Sequence, residues 1–166
     1  MTGKVDVDET YVGGQDDQAK GRKEGRKKLV VLSIERKDKG ISRMYARVIE
    51  SASKTNLKGF MQDHIAAEAN VRTDKWAGYK GLEEEFPRIV REKSEKKGKN
   101  FGDLHRCIMM LKAWLRGVHH SVEHLQAYLD EYTYRFNRHK MKEGIFENLM
   151  VRMVEKPPHT YKMIIS

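Results

Sequence analysis

The order in which strand-like and helix-like spacings of apolar residues follow one another most constrains the fold of this chain. Three runs rich in β-branched residues come first, at 5–8, 29–35 and 41–50. The turn signal VGG follows the first run, and KDKG separates the second from the third. Strand-like runs joined by short turns are typical of an antiparallel β-meander. We therefore expect the chain to begin with three antiparallel strands.

The spacing then changes to that of a helix. A helical stripe begins after the Ser/Thr-rich segment SASKT and consists of Leu57, Phe60, Met61, His64 and Ile65. Residues 69–74 and 88–93 are predicted to form two further strands, with a short helix over 76–86 between them. We expect Trp76 to pack under that short helix.

Three helical segments end the chain. The first is predicted at about 103–116, with Asp103 as a plausible N-cap. The second spans about 121–138 and the third about 144–155, where the sequence KPPH stops it. The order is thus βββαβαβ followed by helices.

This order predicts an α/β fold with a mixed five-stranded sheet, an antiparallel β-meander plus two further strands, flanked by helices and followed by a helical C-terminal part. The length of 166 residues fits one domain over 1–166. Within it, the sheet and first helices occupy about 1–102, and the C-terminal helices about 103–156.

The charge balance indicates a polyanionic partner. Lys and Arg number 33 against 24 Asp and Glu, which gives a formal net charge of +9. Nucleic acid is favoured over an anionic membrane, because no apolar run approaches the length of a membrane span. The single Cys107 excludes an intrachain disulfide and a Cys-based zinc module, and it fits a reducing cytoplasm.

Basic residues are concentrated in two loops and on the later helices. Solvated loops are the common alternative for such runs, but their excess on one small domain favours contacts with DNA phosphates. The predicted DNA-binding residues are Lys20, Arg22, Lys23, Arg26, Lys27, Lys28, Lys96, Lys97, Lys99, Arg116, Arg135 and Arg138.

Two carboxylates lie at the predicted ends of strands. Asp8 ends the first strand and Asp74 ends the fourth, and catalytic groups of open α/β sheets gather at such strand ends. If the two strands are neighbours, the carboxylates converge and repel each other, and a shared divalent cation relieves the repulsion. Oxygen ligands of this kind suit Mg²⁺ or Mn²⁺. On spacing alone, solvated strand ends or turn caps remain the favoured interpretation.

A histidine and a lysine share one face of the first C-terminal helix. His105 and Lys112 are seven residues apart, which is two helical turns or roughly 10 Å along the axis. His105 could complete a metal site in the first turn, and Lys112 could hold a phosphate two turns further on. By themselves, they fit equally a partly buried histidine and a solvated lysine.

Four blocks in order decide between these interpretations: VDVDETYVGG, RTDKWAGYKGL, LHRCIMMLKAWLRGVHH and HLQAYLDEYTYRFNRH. Together they resemble the catalytic domain of bacterial insertion-sequence transposases of the ISXO type, a branch of the DDE superfamily. That branch uses Asp, Asp and then Glu, Asn or His, with a Lys seven residues after the third position. The resemblance implies that Asp8, Asp74 and His105 are metal ligands and that Lys112 is the associated lysine.

The resemblance also implies the fold and the activity. It implies an RNase H-like domain that uses two Mg²⁺ or Mn²⁺ ions to cleave transposon-end DNA and to join 3′-hydroxyl ends to target DNA. The implied partners are transposon-end and target DNA, with a homodimer in the synaptic complex. An alternative is a catalytically inactive basic module that binds DNA or dimerises, because no end-binding region precedes the catalytic strand. The C-terminal block argues against a third possibility, a stand-alone nuclease or resolvase.

Overall fold

The computed structural model of the protein describes residues 1–13, 27–38, 40–118 and 123–158. Five strands form one sheet in these ranges. The first three follow one another along the chain, as the spacing predicts, and the last two are short. They are β1 (Lys4–Val12), β2 (Lys28–Lys37), β3 (Gly40–Ile49), β4 (Asn70–Thr73) and β5 (Val90–Arg91).

The helices agree with the predicted segments, with one exception. They are α1 (Lys54–His64), α2 (Gly102–Val118), α3 (Leu125–Arg138) and α4 (Gly144–Val154). The short helix predicted over 76–86 is wrong, since only the 3₁₀ turn Ala77–Tyr79 forms there. Gly78 and Gly81 are poor helix formers, and Gly81 has a positive φ of 78°, which ends a regular helix.

The sheet is mixed, with spatial order β3-β2-β1-β4-β5. β1 pairs antiparallel with β2, and β2 pairs antiparallel with β3. β4 lies on the other side of β1 and runs parallel to it, as β5 does to β4. β1 is therefore the central strand, flanked on both sides, and its two faces are covered by different helices.

Two apolar cores lie on the two faces of the sheet. On one face, α1 and the 3₁₀ turn Ala77–Tyr79 pack on Val5 and Val7 of β1. On the other face, α2 and α3 pack on β2 and β3, where Met44 and Ala46 share a buried face. Successive side chains of a strand point to opposite faces, so Asp6 and Asp8 lie on the face that α2 covers.

β1 extends further than its sequence pattern predicts. The prediction that Asp8 ends the first strand is wrong, because β1 continues to Val12. The reason is that the antiparallel ladder with β2 runs on to the pair Val12–Lys28, whereas the parallel ladder with β4 stops at Val7–Thr73. Asp8 therefore lies where β1 separates from β4.

The helix starts differ in how well the sequence predicts them. Ser53 caps α1, accepting a hydrogen bond from the backbone N–H of Asn56 at 3.4 Å. The expected N-cap role of Asp103 is wrong, because α2 already begins at Gly102 and continues directly from the 3₁₀ segment Lys96–Phe101. Asp103 instead accepts a hydrogen bond from Arg106 at 2.7 Å within the first turn of the helix.

α4 differs from the other helices in having no buried residue. Its apolar side chains remain accessible, with Phe146 65% and Val154 81% exposed. Within the described ranges, none of the helices has both the length and the apolar composition needed to cross a bilayer.

Candidate active site

The end of the β1–β4 ladder brings together the two predicted carboxylates. Val7 and Thr73 are the last paired residues, and Asp8 and Asp74 follow them directly. Neighbouring strands lie about 4.8 Å apart, so the two Asp backbones leave the ladder side by side. Asp74 also accepts a hydrogen bond on Oδ1 from the Trp76 backbone N–H at 2.9 Å, which fixes its side chain at the start of the following turn.

Asp8 is the best defined member of the group. Its Oδ2 lies 3.6 Å from Nε2 of His105, and its Oδ1 accepts a hydrogen bond from the Glu9 backbone N–H at 2.8 Å. Burial raises the pKa of Asp8, and the negative charge of Asp74 raises it further, against the lowering effects of the Glu9 hydrogen bond and of His105. Burial and the charge of Asp74 therefore outweigh the Glu9 hydrogen bond and His105, so the ionised form of this carboxylate is disfavoured.

Glu9 lies on the opposite face of β1 and adds to this negative charge. Its Oε2 accepts a hydrogen bond of 3.0 Å from the hydroxyl of Tyr79, which is fully buried against α1. Burial, together with the charges of Asp8 and Asp74, raises the pKa of Glu9 to about 7, although the Tyr79 hydrogen bond lowers it. Three carboxylates on two adjacent strands therefore influence one another.

The donor set fits a cation whose coordination is completed by something outside the protein. Among the described residues, no three His, Cys, Asp or Glu side chains are close enough together to hold a metal ion by themselves. Mg²⁺ is usually bound by one or two carboxylates, several waters and substrate phosphates rather than by an all-protein cage. The half-buried, mutually repelling Asp8 and Asp74, with His105 beside Asp8, match that incomplete type of site.

α2 carries the other two predicted residues. His105 lies in its first turn and Lys112 two turns later, and both are half-buried beside the stripe that packs on the sheet. Burial lowers the pKa of the Lys112 ammonium, and the nearby Lys27 and Arg116 lower it further. Lys112 therefore belongs to a positively charged region that also includes Lys27 and Arg116.

An ion-pair cluster lies directly below the carboxylates, and sequence reasoning missed it. Asp6 is fully buried, and Arg72, its register partner on β4, binds it with two hydrogen bonds, Nε–Oδ1 at 3.0 Å and Nη2–Oδ2 at 2.9 Å. Nε of Arg36 lies 3.1 Å from the same Oδ2. The guanidinium of Arg72 also stacks on Phe101, 4.6 Å from the ring centroid. This cluster joins β1 to β4 two residues before Asp8 and Asp74.

The available signal for that cluster was an arginine inside a four-residue strand. The strand NVRT has four residues, two of them buried. A charged residue in such a strand, here Arg72, needs a partner that neutralises its charge. The partner could be named only with the β1–β4 register, in which Asp6 and Arg72 face each other.

Trp76 contradicts its predicted packing. Its side chain is 52% exposed two residues after Asp74, and its indole N–H donates to the Ala52 backbone carbonyl at 2.9 Å. The physical reason is the missing helix, because the 3₁₀ turn Ala77–Tyr79 is too short to cover an indole ring.

The predicted DNA-binding residues fall into three groups. Lys20, Arg22, Lys23 and Arg26 lie outside the described residues, as do the side chains of Lys96 and Lys97. Lys27, Lys99 and Arg116 are exposed, whereas Lys28 donates to the Glu123 backbone carbonyl at 3.0 Å.

Arg135 and Arg138 already have partners in the protein. Arg135 pairs with Glu131, with 2.8 Å between Nη2 and Oε1, one turn back on α3. Arg138 stacks on Tyr134 at 4.2 Å from the ring centroid and donates to Asn148 of α4 at 3.1 Å. Arg138 therefore joins α3 to α4, and Arg135 remains 67% exposed.

Comparison with known families decides what these residues belong to. The family described as the ISXO2-like transposase domain matches residues 1–137. The chain belongs to this transposase family. The match covers all of β1 through most of α3 and includes Asp8, Asp74, His105 and Lys112. No curated protein matches the chain.

A solved structure supports the fold of this transposase-family domain. The chain is similar to the catalytic core domain of BIV integrase, with a TM-score of 0.55 and 14% identity over 81% of this chain and 83% of that one. At this identity the likeness bears on the fold alone. It confirms the RNase H-like fold, with its mixed five-stranded sheet and helical C-terminal part, that the resemblance implies.

Proposed function

We propose that this transposase-family domain is a divalent-metal-dependent nucleotidyl transferase that cleaves transposon-end DNA and joins the 3′-hydroxyl ends to target DNA. The observation that carries the proposal is that His105 lies 3.6 Å from Asp8 at the point where β1 separates from β4, with Asp74 directly following the last β1–β4 pair. The proposed partners are transposon-end and target DNA, and the homodimer in the synaptic complex remains a prediction.

The proposed cofactor is a pair of Mg²⁺ or Mn²⁺ ions. When bound, such a pair activates the attacking oxygen and stabilises the leaving one in an in-line displacement. Asp8 and Asp74 would hold the ions, and a DNA phosphate would complete their coordination. His105 would contribute an imidazole nitrogen at the third position.

The protein residues have separable roles in this proposal. Asp8 and Asp74 supply fixed negative charge on a rigid central sheet, so the reacting groups are held in place before DNA binds. His105 is a neutral ligand when it binds a metal, so it supplies less charge than a Glu would and favours the softer Mn²⁺. Lys112 holds a phosphate as a point charge two turns along α2.

The test compares Asp74→Asn with the parent protein on pre-cleaved terminal DNA in Mn²⁺. We expect Asp74→Asn to lose strand transfer by at least about 100-fold, since changing even an outer partner of a metal ligand costs about 10–100-fold. Salt-sensitive DNA binding should persist. Asp38→Asn, in the exposed turn between β2 and β3, removes the same charge elsewhere and is the matched control.

A second candidate function is a basic DNA-binding or dimerisation module without catalysis. It is favoured by the lack of three metal-binding side chains close together among the described residues. Equal activity of Asp74→Asn and the parent would remove the enzyme proposal. No activity in either protein, with DNA binding retained in both, would support the second candidate.

A further inference from the structure

A cavity of about 490 Å³ lies beside the ion-pair cluster, between β1 and the start of α2. Four cationic and two acidic side chains line it, which leaves an excess of two positive charges. Cavities of this polarity suit an anion rather than an apolar ligand. The charged lining residues are Asp6, Arg36, Arg72, Lys99, Asp103 and Arg106.

The acidic residues of this cavity already accept hydrogen bonds from arginines that line it. Both oxygens of Asp6 accept hydrogen bonds from Arg72, and Asp103 accepts one from Arg106. Arg72 and Arg106 therefore use hydrogen-bond donors inside the protein.

Arg36 and Lys99 are different. Nε of Arg36 is close to Asp6 but makes no aligned hydrogen bond, and the guanidinium side chain is 29% exposed. Within the described part of the chain, neither the terminal nitrogens of Arg36 nor the ammonium of Lys99 donates a hydrogen bond to a protein acceptor. The cavity thus presents a planar guanidinium and an exposed ammonium, the two groups that proteins use to bind phosphates.

The cavity adjoins the proposed reacting centre. Asp6 lies two residues before Asp8 on the same face of β1, about 6.6 Å along the strand. Arg106 directly follows His105 on α2. One DNA strand carries a phosphate about every 3.4 Å of helix axis, so a strand that reaches Asp8 would place a phosphate about two positions away over this cavity.

We propose that this cavity binds a backbone phosphate of the DNA strand that enters the reacting centre, with Arg36 and Lys99 as its donors. The inference rests on the proposed function for the identity of the anion. Arg72 holds Asp6 and thereby keeps the floor of the cavity in place, while Arg36 receives the phosphate. A free phosphate has the same chemistry, so the experiment must separate the two sources.

The first measurement is the salt dependence of DNA binding, by fluorescence anisotropy with a labelled duplex in EDTA. Each protein–phosphate contact contributes about 0.9 to the slope of log K against log salt. We expect Arg36→Gln and Lys99→Gln each to lower the slope by about that amount. Lys80→Gln is the control. Lys80 is exposed, does not line the cavity, and follows the 3₁₀ turn Ala77–Tyr79, which packs on α1. Its loss removes the same charge and should leave the slope of log K against log salt unchanged.

The second measurement locates the contact on the DNA. Duplexes with a single neutral methylphosphonate should bind the parent more weakly at one position near the cleavage site. Arg36→Gln should be insensitive to the same substitution, because its contact is already lost. If both proteins respond equally at every position, or if the slopes of the cavity variants match that of Lys80→Gln, the proposal is overturned.

Inorganic phosphate tests the other source. Titration of the parent protein with inorganic phosphate at constant ionic strength should show no saturable phosphate binding below millimolar concentrations. Micromolar binding of phosphate that is lost in Arg36→Gln, with DNA slopes unchanged, would make the cavity a small-anion site and refute the DNA proposal. Lys99→Gln changes an exposed side chain and thus keeps the test valid if Arg36→Gln proves unstable.

The use of EDTA separates this proposal from the proposed catalytic function. Asp74→Asn should keep the parent slope, because the cavity does not include Asp74. Normal slopes in the cavity variants with catalytic loss in Asp74→Asn would refute the phosphate site alone. Reduced slopes in the cavity variants with full activity in Asp74→Asn would refute the catalytic proposal alone.

Discussion

Asp6 and Asp8 lie two residues apart on the same face of the same strand, yet their surroundings are opposite. Asp6 is fully buried, with two hydrogen bonds from Arg72 and Arg36 close by. Asp8 is 24% exposed. Burial and the charge of Asp74 raise its pKa, although His105, 3.6 Å away, lowers it. One acid is neutralised by an arginine, whereas the ionised form of the other is disfavoured by burial and by Asp74.

We propose that this difference separates an acid that stabilises the fold from one that binds a ligand. A buried charge that is paired and hydrogen-bonded holds elements together, and its loss leaves an uncompensated partner. A charge that the fold leaves uncompensated costs free energy unless a ligand neutralises it. The Asp6–Arg72 pair fixes the register of β1 against β4, and this register places Asp8 beside Asp74.

The largest expected effect is on stability. Asp6→Asn leaves Arg72 and Arg36 without their carboxylate, and we expect it to lower the free energy of unfolding by about 3 kcal/mol or more. Asp8→Asn, in the absence of metal, should leave that free energy unchanged or raise it, because it removes a half-buried charge that burial and Asp74 disfavour. Urea unfolding in EDTA measures both, with Asp38→Asn as the exposed control.

Similar losses of stability in Asp6→Asn and Asp8→Asn would contradict the proposed difference between these two acids. They would mean that His105 compensates Asp8 as fully as Arg72 compensates Asp6.

A smaller effect is expected on metal preference. His105→Glu places a third carboxylate beside Asp8 and replaces a softer nitrogen ligand by a harder oxygen one. We expect the ratio of the strand-transfer rate in Mg²⁺ to that in Mn²⁺ to rise by about tenfold. His124→Glu makes the same exchange just before α3 and should leave the ratio unchanged. An unchanged ratio in His105→Glu would place His105 outside the metal site.

The smallest expected effect concerns Glu35, another acid that the protein compensates. Burial raises its pKa, but hydrogen bonds from the Ser42 hydroxyl and from the Gly3 and Thr2 backbone outweigh burial and hold the pKa below its usual 4.5. A lowered folded-state pKa gives stabilisation that is complete above the unfolded-state value and is lost as the pH falls through the folded-state value.

Glu35→Gln should therefore flatten the loss of stability below about pH 4.5 and cost about 0.5 kcal/mol at neutral pH, since the group is partly solvated. Urea unfolding at neutral and acidic pH checks this, with the exposed Glu83→Gln as control. An equally steep loss of stability below pH 4.5 in Glu35→Gln and the parent would show that Glu35 is not compensated.

The element order was predictable from the sequence because it depends on local spacing. The meander, α1 and the C-terminal helices have periods of two or of three to four residues that dominate their segments. The end of β1 was not predictable, because Glu9–Val12 are held in the strand by β2 alone. The helix expected after Asp74 fails for a local reason, its two glycines, and Trp76 is exposed as a consequence.

The residues of the candidate site could be named from the sequence, but the ion pair that supports them could not. Asp8, Asp74, His105 and Lys112 were named from the motif blocks, and their assignment as ligands and phosphate contact stays a prediction. The pairing of Asp6 with Arg72 depends on strands 66 residues apart in sequence, and no local pattern specifies that register. The same holds for Arg36, whose position at the cavity follows from the β1–β2 ladder.

The proposal depends most directly on whether the Asp8 carboxylate binds a divalent cation. Electron paramagnetic resonance of free Mn²⁺, titrated into the DNA-free protein, counts the bound ions. We expect saturable Mn²⁺ binding in the parent and in Asp38→Asn, and loss of that binding in Asp8→Asn. Equal Mn²⁺ binding by Asp8→Asn and the parent, or no binding by the parent, would contradict it.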